Sequence, residues 1–468
     1  MSPPAGRIKG DQKKKVQQPK KKKEFTKSER RQGRDRFPAT AKDSSSEGLK
    51  PGDIPVPLQQ LLLNVFKATF LWSDSGLEPS SSFSLSQNIQ TIKAHLFRRD
   101  FASAFAGAND DLLKAYALRW SAGRALGYAV IFRSLCGHLL FEQDALDVPP
   151  GSRKHIVCIG GGAGAEVAAL AAVWRELSSQ ILSTRSSDAS GQVALNGGIS
   201  ELTLNEGEGF TSQFPPKEPL NVRDDISPTN IDDVHSSEPA LPALTVTAVD
   251  IADWSSVLKG LSATLCSNSV PSTKSCPAPL LPEVTYDSDD GLFSIHFKKE
   301  DILNVSEEDL KLILLPSQDG KKVGTMMVTL MFTLNELFST SMSKTVAFLL
   351  RLTDIVKPGT TLLVVDSPGS YSSVSLGVTK STTGNGQGSR TSQSEKPQEE
   401  RPQTERKYPM RFLLEHTLLS VAAGQWDCVL SDDSRWFRRN QAALRYDLGD
   451  GIGLEDMRYQ IHVYRKSR

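Results

Sequence analysis

Three glycines at 160, 162 and 164 stand between a short apolar run, His155 to Ile159, and an alanine-rich stretch that opens near Glu166. Strand, glycine turn and helix in that order make a ligand-binding turn. Glycine accepts positive φ and lets a ligand approach the peptide plane, while the first helical turn offers unpaired N–H groups. Other polar residues fall at comparable places. Asp250 ends the β-branched run 244–250, Asp301 follows the run 293–297, and Thr333, Asn335 and Glu336 close or follow the apolar run 324–333. In a doubly wound α/β sheet, ligands bind beyond the carboxyl ends of the strands, where strand order reverses. All these residues are expected on that one rim.

Each position also has a plain structural reading. A glycine turn can be a tight connection, and a strand-end acid, Thr or Asn can cap a helix. Accidental capping gives no reason for all of them to share a rim, so their register with four strands argues for a site. A carboxylate at the end of the second strand can accept hydrogen bonds from both hydroxyls of a ribose, and it would repel a 2′-phosphate. An acid after the third strand can accept from an adenine amine, and the glycine turn can hold an amino-acid moiety. The loose pattern Gly160-x-Gly162-x-x-Ala165 also suits a dinucleotide, so the turn alone leaves S-adenosylmethionine and NAD both open. Asn335 and Glu336 lie where an acceptor would meet a transferable group.

The elements that position these residues alternate between strand and helix. Runs at 244–250, 293–297, 324–333 and 360–366 read as strands, the last two nearly all apolar, as central parallel strands should be. A helix over 341–355 ends at Lys357-Pro358-Gly359, which has stop and turn chemistry. A helix near 408–423, a strand near 426–430 and a last strand over 458–464 complete the set. The final two strands have no helical pattern between them and are expected to pair antiparallel. The fold class is α/β, a doubly wound, seven-stranded Rossmann-like sheet of methyltransferase type, over 151–468. Residues 53–150 read as an N-terminal helical region, with Leu61, Leu62, Val65 and Phe66 at helical spacing and a long run from Asp110 through Leu140. Segments 178–240 and 367–406, rich in Ser, Gly and other polar residues, read as insertions.

Residues 1–36 carry fourteen Lys and Arg against four acids, although the whole chain has a formal charge of only +1. Segment 1–52 is too polar to form a core and reads as a disordered basic tail. Its lysine clusters at 13–15 and 20–23 suit a nuclear or nucleolar address, without excluding the cytoplasm, or an arm that binds nucleic-acid phosphates. No run of about 18 apolar residues suggests a membrane span. The five scattered cysteines, 136, 158, 266, 276 and 428, give neither a metal site nor a disulfide framework. Tyr116, Arg119 and Trp120, and Trp436 with Arg439, combine arginine and aromatics as single-stranded RNA binding would require, although packed rings with exposed arginines would give the same pattern.

Several segments together resemble a fungal family of class I S-adenosylmethionine methyltransferases that modify N3 of uridine in large-subunit (25S) ribosomal RNA. They are residues 116–125, the turn 158–166, residues 331–337, 363–369 and 454–465. The resemblance covers most of 55–468 outside the insertions. It implies S-adenosylmethionine as cofactor, held by Gly160, Gly162, Gly164, Asp250, Asp301 and Thr333, with Asp253 the alternative to Asp250. It also implies rRNA or a pre-ribosomal particle as partner, with no membrane and no metal. Asn335 would orient the base, and Glu336 or a water would take the N3 proton. A methyltransferase of proteins or small molecules, a dinucleotide oxidoreductase and a non-catalytic RNA-binding assembly factor remain alternatives, and the sequence leaves the oligomeric state open.

Overall fold

The structure is a computed structural model that describes residues 54–71, 84–136, 153–197, 243–318, 321–322, 324–368, 373–375, 407–449 and 451–467. The basic segment 1–52 lies outside the described residues, as do 198–242 and 376–406, which hold most of the two expected insertions.

One mixed sheet organises the chain. Its strands are β1 (Lys154–Ile159), β2 (Leu244–Asp250), β3 (Thr285–Tyr286), β4 (Phe293–Lys299), β5 (Thr325–Met331), β6 (Thr361–Asp366), β7 (Trp426–Phe437) and β8 (Met457–Lys466). They lie in the order β7-β8-β6-β5-β1-β2-β4-β3. Strands β1 to β6 run parallel, β8 inserts antiparallel beside β6, and β7 pairs antiparallel with β8. The seven expected strands are present. The eighth, β3, is a two-residue edge strand, too short for any alternation to show in the sequence. Strand order reverses at β1, between β2 and β5, so the glycine turn leaves the sheet at its switch point.

Both faces of the sheet are covered, and the side chains divide accordingly with period two. Ile156 and Cys158 of β1 face one core, and Val157 and Ile159 face the other. This explains why the central strands read as unbroken apolar runs. Buried His155 joins three strands, its ring nitrogens lying 2.9 Å from both Thr325 Oγ1 of β5 and Thr247 Oγ1 of β2. Burial pushes its pKa down to about 4, so it is a neutral core residue.

The first core also contains the N-terminal helices α1 (Val56–Leu71), α2 (Leu85–Phe97), α3 (Asp110–Tyr116) and α4 (Ala122–Cys136). A π-helical turn, Ala117–Ser121, joins α3 to α4. Helix α5 (Ala165–Gly197) follows the glycine turn, and α6 (Ser255–Leu265) follows β2. Helix α5 runs well past residue 178, where the sequence suggested an insertion. No proline interrupts it, and its described residues reach Gly197. The second core takes α7 (Glu307–Leu314), α8 (Leu334–Thr340), α9 (Met342–Ile355) and α10 (Met410–Glu415).

The C-terminal hairpin hugs α4. A Cβ on Gly127 would sit 2.4 Å from Met457 Cε and 3.3 Å from the Phe437 ring. The absent side chain lets the β7–β8 strands pack against a helix whose neighbouring residues, Arg124 and Tyr128, line a cavity on the adjacent face.

Candidate functional site

A cavity of about 240 Å³ opens above the tips of β1, β2, β4 and β5. A single ordered water needs only about 10–15 Å³, so the space is that of a ligand. Gly160, Asp250, Asp301, Thr333 and Glu336 all line it. The π-helical turn and α4 close it from the other side with Tyr116, Ser121, Arg124 and Tyr128.

The glycines divide into two groups. Gly160 has φ +76° and faces the cavity, where a Cβ would lie 2.2 Å from Thr333 Oγ1. Gly162 and Gly164 serve packing beneath the turn, since a Cβ would strike Trp254 at 2.1 Å from the first and Leu261 at 2.3 Å from the second. Gly161, which sequence reasoning passed over, lines the cavity instead.

Asp250 holds the turn and faces the ligand space together. Its carboxylate accepts N–H bonds from Gly162 at 3.2 Å and Ala252 at 3.1 Å, one on each oxygen, which leaves each oxygen further acceptor capacity. Burial pushes its pKa up to about 6 against the pull of those N–H groups. Its neighbour Asp253 is exposed and bonds Ser255, so the structure brings Asp250 and not Asp253 to the cavity. Asp301 lines the cavity while binding its own turn, accepting from the Leu303 N–H at 3.0 Å and from the Asn304 amide.

At the tip of β5 the backbone is strained. Phe332 has φ +59°, a left-handed conformation uncommon for a bulky side chain, and its N–H donates to the Val365 carbonyl at 2.6 Å. The turn drives its ring under Arg124, whose guanidinium carbon lies 4.7 Å from the ring centroid. Arg124 Nη1 also donates to the Tyr116 hydroxyl at 2.6 Å.

Asn335 is not at the cavity wall. Its N–H and its side-chain amide donate to the two oxygens of Asp366 at 2.9 and 2.8 Å, which fixes the start of α8 to the end of β6. Glu336, the next residue, lines the cavity, and its carboxyl makes no hydrogen bond or ion pair among the described residues, while its backbone carbonyl accepts from Thr340 Oγ1 at 2.9 Å. Burial pushes its pKa up to about 8, helped by the Asp366 charge and opposed by Arg124. Glu166 is likewise raised to about 8 by burial, although its carboxyl accepts from Thr329 Oγ1 at 2.6 Å. Asp366, missed from the sequence, is raised to about 6 by burial.

Among the described residues Arg124 is thus the one cation lining the cavity, against the carboxyls of Glu166, Asp250, Glu300, Asp301 and Glu336. None of these acids forms an ion pair among the described residues. One further donor has no partner there: the buried hydroxyl of Ser121, a residue of the cavity wall. Phe105, Tyr116 and Trp254 form an aromatic side, with ring centroids 5.2 to 6.3 Å apart.

This set of residues fits S-adenosylmethionine better than a dinucleotide. A net acidic wall attracts a sulfonium and an ammonium and repels a diphosphate, while one guanidinium suffices for one carboxylate. Among the described residues no cluster of His, Cys, Asp or Glu is arranged to hold a metal ion, and no helix is long and apolar enough to cross a membrane.

Of the two arginine–aromatic motifs, the first is internal. Tyr116 is in the cavity wall, and Arg119 is buried and pairs with Glu455. The second, around Trp436, is exposed on the C-terminal hairpin.

Comparison with known proteins accords with this geometry. The chain is 28% identical over 418 residues to the 25S rRNA (uridine(2843)-N(3))-methyltransferase of Saccharomyces cerevisiae, covering 87% of this chain and 86% of the yeast protein. Among solved structures, an S-adenosylmethionine-dependent methyltransferase from Clostridium acetobutylicum is 8% identical, with 82% of this chain and 100% of that one covered and a TM-score of 0.30. Human N-acetylserotonin methyltransferase in complex with SAM is 13% identical, with 82% and 69% covered and a TM-score of 0.24. At such TM-scores neither structure bears on the site. A family model described as "Putative SAM-dependent methyltransferase" matches residues 66–465. By that match, which takes in the sheet, the glycine turn and the whole cavity wall, the chain belongs to the Methyltransf_34 family.

Proposed function

We propose that this chain transfers a methyl group from S-adenosylmethionine to N3 of a uridine in large-subunit ribosomal RNA. Similarity along nearly its whole length to the yeast uridine-N3 enzyme carries the choice of substrate. A half-buried Glu336, whose carboxyl has no partner among the described residues, faces a cavity of matching electrostatics and supports the chemistry.

When bound, the cofactor supplies an electrophilic methyl group on a sulfonium. Asp250 is suited to both ribose hydroxyls through its spare lone pairs, and Asp301 to an adenine amine. Gly160 leaves room for close approach, and Arg124 is suited to the methionyl carboxylate. Uridine N3 bears a proton and must lose it before or during attack. Glu336 is the group for that proton, because burial has raised its basicity toward that of its target, as efficient general-base catalysis requires. Asn335 acts indirectly, through Asp366, by fixing the first turn of α8 and so the position of Glu336. N3 lies on the pairing edge of the base, so the uridine must be unpaired or flipped when it reacts. The basic tail suits RNA phosphates and a nucleolar site of action.

Nucleoside mass spectrometry of large-subunit rRNA from cells lacking the protein is the test. Loss of one 3-methyluridine is expected. An unchanged 3-methyluridine content sinks the assignment. Labelled methyl transfer that survives nuclease but not protease would move the substrate class to protein.

A further inference from the structure

Strands β7 and β8 outrun the sheet. The last residue of β6, Asp366, pairs with Gln460, whereas Arg435, Trp436 and Phe437 pair only with Met457 to Tyr459. Because β8 runs antiparallel to β6, this overhang projects beyond the carboxyl ends of the parallel strands, the rim that bears the cavity. It also packs against α4 through Gly127, on the face next to the one that carries Arg124 and Tyr128 into the cavity.

The overhang carries an unusual surface. Trp436 is 52% exposed. The guanidinium carbons of Arg438 and Arg458 lie 4.8 and 5.8 Å from its ring centroid. Arg435 pairs with Asp432, and Arg438 and Arg439 share Asp456. Arg458 bonds the Ser434 hydroxyl and has no carboxylate partner among the described residues. Four arginines therefore meet two aspartates around an exposed indole. An open polar groove lined by Arg439, Gln441 and Tyr446 continues from it.

We infer that Trp436, with Arg438 and Arg458, forms a docking platform for single-stranded RNA beside the cavity mouth. The inference rests on the proposed RNA substrate. An exposed aromatic face gains by stacking on a base of any sequence, and the excess of guanidinium charge meets the phosphates on either side. The two guanidinium groups beside the ring favour a nucleic acid over an apolar protein surface. The platform lies one helix away from the cavity wall, so RNA held there presents a neighbouring nucleotide to Glu336. It binds the strand and takes no part in the chemistry.

The test uses the full chain, so that the basic tail contributes equally to every variant. Affinity for a fluorescent single-stranded oligouridylate is measured by anisotropy, with S-adenosylhomocysteine affinity measured alongside by calorimetry. Trp436→Ala is expected to weaken RNA binding about tenfold, Trp436→Phe to retain most of it, and all variants to bind S-adenosylhomocysteine as the unmodified chain does. Arg458→Ala should lower the slope of log affinity against log salt by about 0.7. Unchanged oligouridylate affinity in both Trp436→Ala and an Arg438→Glu, Arg458→Glu double variant overturns the platform. So does full RNA affinity in Trp436→Ala combined with lost binding to a pre-ribosomal particle, which would assign the surface to a protein. Should the unmodified chain bind both ligands but leave rRNA unmethylated, the proposed function fails while the platform stands.

Discussion

The cavity and the C-terminal hairpin handle charge in opposite ways. Around the cavity, Glu166 and Asp366 are buried and Asp250 and Glu336 half-buried, none with an ion pair among the described residues, and burial raises every one of their pKa values. Along the hairpin, Arg411 pairs with Asp433, Arg435 with Asp432, and Arg438 and Arg439 with Asp456, all near the surface. Exposed pairs contribute little stability, whereas buried, unpaired acids cost stability until something compensates them. The first region therefore keeps an excess of unpaired carboxyls, and the second is complete in itself apart from Trp436 and Arg458.

Substitutions on each side can break that contrast. Glu336→Gln keeps the shape of the cavity and removes the proposed proton acceptor. Methyl transfer to rRNA is expected to fall by about a hundredfold or more, with S-adenosylhomocysteine affinity within a few fold by calorimetry. Equal turnover would show that Glu336 is only buried, not used. Next in size is Arg124→Met, expected to cost about tenfold to a hundredfold in S-adenosylhomocysteine affinity, as for a lost hydrogen bond to a charged group. Methylthioadenosine, which lacks the carboxylate, should bind this variant and the unmodified chain alike. A parallel loss for both ligands would mean that Arg124 shapes the wall and does not meet the carboxylate.

A third effect follows from protonation. Carboxyls raised to about 8 and about 6 keep protons in the folded state that the unfolded chain has already released. The folded state binds more protons across that window, so its stability falls as pH rises from about 4.5 toward 8. The melting temperature of the ligand-free protein should decline over this range, and less steeply in Glu336→Gln. A flat profile would show that the acids are better solvated than their surroundings indicate. Smallest of all, Arg411→Ala removes two ion pairs near the surface, to Glu415 and Asp433, and should change stability by about 1 kcal/mol or less in denaturant unfolding. A larger loss would mean that the hairpin pairs are structural after all.

What the sequence made legible was local. Alternation and apolar runs mark β1, β2, β4, β5 and β6, and a carboxylate at the end of β2 follows directly from Asp250 closing its run. Strand β7 is read short, at 426–430 instead of Trp426–Phe437, because its outer half is polar and exists through pairing with β8, with shifts in register between Cys428 and Leu430 and between Asp432 and Arg435. Arg124, Ser121 and Tyr128 could not be found as site residues. They sit in a helical run before the first strand, and only tertiary packing brings them over the strand tips. Trp254 had a faint signal, an aromatic four residues beyond Asp250. Asn335 shows the converse limit: its position in the chain is right for the rim, but its side chain is committed to Asp366.

Phe332 places two incompatible demands on one position. Its backbone, at φ +59°, is one that glycine adopts freely and an aromatic residue adopts at a cost of about 1–3 kcal/mol. Its ring is the floor beneath Arg124 and stacks on Tyr128 with centroids 6.4 Å apart. Glycine would relieve the main chain and remove the floor, leucine would keep the strain without a flat ring, and β-branched valine would worsen the torsional conflict. Exhaustive mutagenesis at codon 332 would therefore return a position with almost no acceptable replacement, intolerant even of the residue its own dihedral angles prefer.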